Sequence, residues 1–121
     1  MKLEEMDAAV TLRSQLGDDA GPVVLINKFT VDPSDAKALQ EAWAADAAFM
    51  KRQPGFISAQ LHRGIAGSGT FVNYAVWESV ESFARAFAQP EFQAGLTRYP
   101  ASTVAQPHLF ERLAVPGICT A

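Results

Sequence analysis

Two asparagines stand inside stretches that otherwise read as β-strand. Asn27 interrupts the run Val23-Val24-Leu25-Ile26-Asn27-Lys28-Phe29-Thr30-Val31. Asn73 interrupts Thr70-Phe71-Val72-Asn73-Tyr74-Ala75-Val76-Trp77-Glu78. Asparagine is depleted in strands, and a buried amide without a partner costs about 1–3 kcal/mol. Trp77 follows Asn73 on the same strand face, roughly 13 Å farther along at about 3.3 Å per residue. Amide donors and acceptors plus an indole N–H, set on an otherwise apolar wall, suit a planar, oxygen-rich aromatic ligand. Phe29, on the strand face of Asn27, and Phe83, in an apolar helical stripe, are expected to line the same substrate space. The competing expectation is structural: a strand asparagine bonded to a loop or a sheet edge, and a tryptophan in the core.

Other reactive side chains are sparse. His62 shares a strand face with Phe56, Ser58 and Gln60. With an ordinary pKa near 6.5 it is a candidate general base, or else a histidine at the rim of the substrate site. His108 follows Pro107 and reads as a strand-end residue. Asp46 falls in the apolar stripe of a helix, between Trp43 and Met50. A salt bridge at the edge of that stripe is the preferred reading; a carboxylate base whose pKa is raised by burial is the other. Arg98 and Tyr99 close one mouth of the cavity or lie at the surface. Two histidines without patterned carboxylates make a weak metal site. Cys119 is the only cysteine, so it forms neither an internal disulfide nor a zinc site, and it reads as an unreactive tail thiol.

The elements that must hold these residues follow from pattern. Residues 1–20 mix charge, Ala and Gly with little period and form an N-terminal arm, partly helical; residues 21–121 form one domain. Residues 23–31 are rich in β-branched side chains and read as a strand. Pro33-Ser34 open an amphipathic helix on which Ala36, Leu39, Trp43, Ala47 and Met50 align, and which Pro54-Gly55 ends. Strands follow at 56–63 and 70–78, joined by the flexible run from Gly64 to Gly69. Ser79 caps a second helix with Val80, Phe83 and Phe87 as its stripe. A short helix spans 90–99, and a last strand spans 108–115. The order is the ferredoxin-like βαββαβ arrangement of the α+β class, with an antiparallel sheet and both helices on one face. If the other face is apolar it must be covered, which predicts a face-to-face, barrel-like homodimer.

Composition sets the outer limits. The 121 residues are 49% hydrophobic and 19% charged, enough apolar material for one packed domain. The net charge of −3 provides no basic field for nucleic acid or anionic lipid. No apolar run approaches the ~18 residues of a membrane helix. The start has no apolar leader segment, so a cytoplasmic protein is expected.

The segments LINKFTV, RQPGFISAQLHR, FVNYAVWES and AFAQPEFQ, in this order and spacing, resemble the antibiotic biosynthesis monooxygenase family of dimeric α+β barrels. The resemblance covers residues 22–115. An asparagine in the first strand combined with Asn-x-x-x-Trp in the third is similar to the cofactor-independent oxygenases of aromatic polyketide pathways, of the nogalamycin and actinorhodin type. The resemblance implies a homodimer that uses O2 to oxidise an anthrone- or naphthacenone-like polyketide to a quinone with no cofactor. It assigns catalytic roles to Asn27, Asn73 and Trp77. A tyrosine that some of these enzymes carry six residues after the tryptophan is Phe83 here. Two alternatives stand beside it: a haem-degrading oxygenase of the same fold, and a non-catalytic dimer that binds small aromatic ligands. Against haem, the segment 92–99 lacks the histidine that such enzymes use to ligate iron.

Overall fold

A computed structural model describes all 121 residues. Its strands are β1 (Lys2–Leu3), β2 (Val23–Thr30), β3 (Phe56–Arg63), β4 (Thr70–Trp77) and β5 (Val104–Phe110). Its helices are α1 (Leu12–Gln15), α2 (Ala36–Lys51), α3 (Val80–Phe87) and α4 (Pro90–Gly95), with 3₁₀ turns at Pro33–Asp35 and Leu96–Arg98. The sheet order is β1-β5-β2-β4-β3; β1 lies parallel to β5 and the other pairings are antiparallel. Without β1 this is the ferredoxin-like order, as the sequence pattern predicts.

Local chemistry accounts for the element ends. The Asp32 carboxylate accepts from Ser34 N–H at 3.0 Å ahead of α2, and Ser79 Oγ accepts from Ser82 N–H at 3.1 Å at the start of α3. Gly55 stops the turn after α2 with φ of +88°, a conformation open to glycine at little cost. A side chain there would also collide with Ser82.

Both helical layers cover one sheet face, in two apolar clusters. One joins Leu25, Ala75 and Trp77 of the sheet to Phe49 and Met50 of α2 and Phe83 of α3. The second joins Phe29, Phe71 and Ala105 to Ala36 and Leu39 of α2 and to Tyr99. The break between them falls on one transverse row of the sheet, where Leu61, Asn73, Asn27 and Pro107 stand in register.

Two expectations need correction. The last strand spans Val104–Phe110, not residues 108–115. Proline removes a strand donor, yet Pro107 is accommodated because its backbone faces the sheet edge. Ala105 and Leu109, which flank it at the same strand phase, turn their groups outward: Ala105 C=O accepts from Glu4 N–H at 2.9 Å, and Leu109 meets a side chain. Past β1 no strand needs the Pro107 donor.

The N-terminal arm carries α1 and is also built into the sheet through β1. Beyond the β1 pairing, Leu12 of α1 enters the core, and the Gln15 amide takes the place of a neighbouring strand. Its Nε2 donates to Leu109 C=O at 2.9 Å and its Oε1 accepts from Leu109 N–H at 2.9 Å. Its Nε2 also lies 3.1 Å from His108 Nε2. His108 is therefore a buried partner of the arm.

The second correction concerns β3. Its register slips between Phe56 and Ser58, so that Phe56 pairs with Trp77 while Ser58 pairs with Val76. This bulge turns Ser58, Gln60 and His62 to the face opposite Phe56.

Candidate active site

Between the sheet and the helices, at the break in the core, lies a cavity of about 730 Å³ counting its open mouth. Apolar side chains make up most of its wall, with Phe29, Trp77, Phe83 and Phe87 among them. The polar side chains that reach it are few: Asn27, Asn73, Asp46, and the ring ends of Tyr99 and two tryptophans, Trp43 and Trp77.

Asn27 and Asn73 are directly opposed across β2 and β4. Opposed residues place their Cβ atoms about 4.5–5.5 Å apart, so the two amides form one polar floor. They do not bond each other. Both Oδ1 atoms are buried with no partner. Each such acceptor costs about 1–3 kcal/mol, and a cross-strand pair doubles the penalty at one place. An apolar pair at this row would join the two core clusters; the asparagines hold them apart.

Trp77 closes one end. It is 1% exposed, meets Phe56 edge-on at 5.4 Å between ring centroids and Phe83 at 5.7 Å. It is thus both a core residue and a cavity wall. Phe29 lies at the other end, stacked on Tyr99 at 5.6 Å.

His62 is not part of this site. The bulge in β3 turns it outward, where it is exposed and its Nδ1 lies 3.3 Å from Val72 C=O. The structure does not bring it to the cavity lined by Asn27, Asn73 and Trp77. No histidine or cysteine borders the cavity, and no group of three or more His, Cys, Asp or Glu is placed to hold a metal ion.

Asp46 differs from its expected salt bridge. It is 7% exposed, and none of the three ion pairs of the molecule includes it. Burial pushes its carboxyl pKa above the usual value of 3.8, with Tyr99 and the Arg98 charge acting in the opposite sense. Burial and the neighbouring Asp46 charge drive the Tyr99 phenol well upward, so it stays a neutral donor.

A raised acid pKa means the folded state binds the proton more tightly than the unfolded chain. Asp46 therefore contributes stability in full below pH 3.8, and the contribution falls away as pH rises through the higher folded value. Asp46→Asn cannot titrate. Its stability relative to the wild type is expected to rise between pH 4 and pH 8, read from urea midpoints. A constant difference across that range would show an unperturbed carboxylate.

Met1 and Leu3 also line the cavity, brought there by the pairing of β1 with β5. No local sequence signal marks them, because a short parallel pairing with a strand 100 residues away decides their place.

Comparison with known proteins bears directly on this geometry. Residues 22–98 match the model of the family described as antibiotic biosynthesis monooxygenase. The chain belongs to that family. A curated relative, deoxynogalonate monooxygenase of Streptomyces nogalater, is 38% identical over 94 residues, covering 78% of this chain and 79% of the relative. The crystal structure of SnoaB, a cofactor-independent oxygenase from Streptomyces nogalater, superposes with a TM-score of 0.70 at 33% identity, covering 81% of this chain and 99% of that one. The family match begins at residue 22, so the arm that brings Met1 and Leu3 to the cavity lies outside it.

Proposed function

We propose that the chain is a cofactor-independent monooxygenase that uses O2 to oxidise a polycyclic aromatic polyketide, anthrone- or naphthacenone-like, to a quinone. The observation that carries this reading is the opposed pair Asn27 and Asn73, two unsatisfied amides on the floor of an aromatic-walled cavity. The activities named for the Streptomyces nogalater matches support it.

The chemistry suits a site of this kind. A hydroxyanthrone has an acidic carbon between its rings, and its carbanion gives up electrons to O2 directly. The substrate then performs the part usually taken by a cofactor. The protein binds the flat ring system between aromatic walls, excludes water and holds the ring oxygens. Asn27 and Asn73 would bond the enolate oxygen as charge develops there, and the Trp77 indole N–H would bond the peroxide. No protein group in the structure takes up that N–H.

The test is oxygen uptake by chelator-treated protein supplied with a trihydroxyanthrone. Uptake above the spontaneous rate, matched mole for mole by quinone, is expected. Quinone binding with no uptake above background would convert the site to a simple binder of aromatic compounds. The haem-degrading alternative receives no support from the cavity wall, where no histidine is available to iron.

The reading includes a homodimer. The sheet face away from the helices carries Ile26, Val72 and Val76 only half buried and Tyr74 39% exposed. Beyond β5 the tail leaves Leu113 and Ile118 at 67% and 81% exposure. A second copy of the chain would cover both features. Light scattering should then give twice the 13.0 kDa chain mass; a monomer at micromolar concentration would end this part of the reading.

A further inference from the structure

We propose that Asp46 is the proton acceptor of the reaction: its carboxylate takes the carbon-bound proton of the substrate and afterwards delivers a proton to the peroxide. The assignment rests on the oxygenase reading above and supplies the base that the opposed asparagines cannot provide.

Placement comes first. Asp46 sits on α2 amid Trp43, Ala47 and Met50, all of which line the cavity. It is the only carboxylate in that wall. The sheet residues Asn27 and Asn73 line the same cavity, so a flat substrate held on the asparagines is enclosed with the carboxylate.

Support around the carboxylate is specific. A Cβ built on Gly95 of α4 would stand 2.6 Å from Asp46 Oδ1. The α4 backbone therefore approaches the carboxylate closely, and a side chain at this position would displace it. Tyr99 borders the same cavity and offers a neutral hydroxyl. Tyr99 and Arg98 are the titratable and charged groups that act on Asp46; Arg98 is exposed and forms no ion pair with it. Across the cavity the sheet presents uncharged amides.

A purely structural carboxylate would be expected to pair with a cation, because an unpaired buried charge is costly. Asp46 has none. Burial raises its proton affinity, which brings a carboxylate closer to the range where a general base works near neutral pH. Tyr99 is the positioning residue, steering the carboxylate without itself exchanging a proton.

The steps balance. The substrate CH2 loses a proton to Asp46, leaving an enolate. The enolate carbon passes electrons to O2 and forms a C–O bond, giving a peroxide anion that takes the proton from Asp46. The ionised Asp46 then removes the second hydrogen from that carbon. The O–O bond breaks, hydroxide leaves and the C=O bond forms. Hydroxide and the Asp46 proton make water. One O2 thus supplies one carbonyl oxygen and one water, and the carboxylate ends as it began.

The first step needs no oxygen, which separates this proposal from the oxygenase reading. Under argon in D2O, wild-type protein is expected to speed deuterium entry at the acidic carbon of a trihydroxyanthrone. Asp46→Asn should lose that exchange by about 10²–10⁴-fold while still binding the anthraquinone product. In Asp46→Ala, added formate should restore part of the exchange by occupying the vacated space, which a structural role would not produce. Tyr99→Phe should retain exchange with a shifted pH profile. Exchange that Asp46→Asn loses, with no O2 uptake by the wild type, would uphold Asp46 and overturn the oxygenase reading. O2 uptake with undiminished exchange in Asp46→Asn would overturn Asp46 alone. If the wild type binds quinone but neither exchanges nor consumes O2, both fall.

Discussion

Asn73→Ala is expected to lower kcat for O2-dependent quinone formation by about 10²–10³-fold, the loss typical for removing one group that stabilises developing charge. The same variant should fold as well as the wild type or better. Asn73 Oδ1 is buried without a partner, so alanine removes an unsatisfied acceptor and loses no protein hydrogen bond to it. This opposite movement of activity and stability distinguishes a binding amide from a structural one. Asn27→Ala, its partner across the strands, should behave similarly. The double variant should lose less than the product of the two single effects if both bond one enolate oxygen. Steady-state kinetics and urea midpoints on the same preparations decide the matter. Unchanged kcat in Asn73→Ala would remove the residue from the reaction.

Trp77 should separate into two roles under two substitutions. Trp77→Ala removes a side chain that is 1% exposed and packed edge-on against Phe56 and Phe83. Deleting an aromatic of this kind costs about 3–5 kcal/mol. In a domain of this size Tm should then fall by about 10 °C or more, and activity would be lost with the fold. Trp77→Phe keeps an aromatic ring between Phe56 and Phe83 and removes the N–H. It should stay folded at the assay temperature and lose about 10²-fold or more in kcat with little change in KM, if the indole bonds the peroxide only as it forms. Calorimetry and oxygen uptake measured side by side read the two roles. A Trp77→Phe variant of full activity would leave the tryptophan as wall alone.

The family match spans residues 22–98, and the segment before it completes the sheet and the cavity. The arm before residue 22 contributes β1 and the Gln15 amide to the open edge of β5. Through β1 it carries Met1 and Leu3 to the cavity. The edge thereby gains the backbone partners that an exposed strand otherwise lacks.

Local pattern determined most of the architecture. The alternation in 23–30 and 70–77, the helical stripe of α2, Ser79 as a cap and Gly55 as a stop are each consequences of a few neighbouring residues. They led to the strand and helix order, and the order to the sheet. The polarity of Asn27 and Asn73 was visible for the same reason: an amide in a strand is a local anomaly. Their direct opposition was not, because register depends on pairing between strands far apart in the chain.

The misplacements have related causes. A one-residue bulge between Phe56 and Ser58 reversed the face of His62, since side-chain direction in a strand has period two and one extra residue inverts it. The last strand starts at Val104 rather than residue 108, because an edge-facing proline at 107 removes no needed bond. Asp46 was legible as a carboxylate in an apolar stripe. Whether a cation met it depended on where α4 and Arg98 settle. The amino-acid sequence by itself determined the elements, their order and the unusual polar residues, because those are written in spacing over a few positions. Tertiary structure alone decided that two amides face each other, that His62 turns away and that Asp46 stands unpaired in the cavity, because each is a contact between segments that only packing brings together.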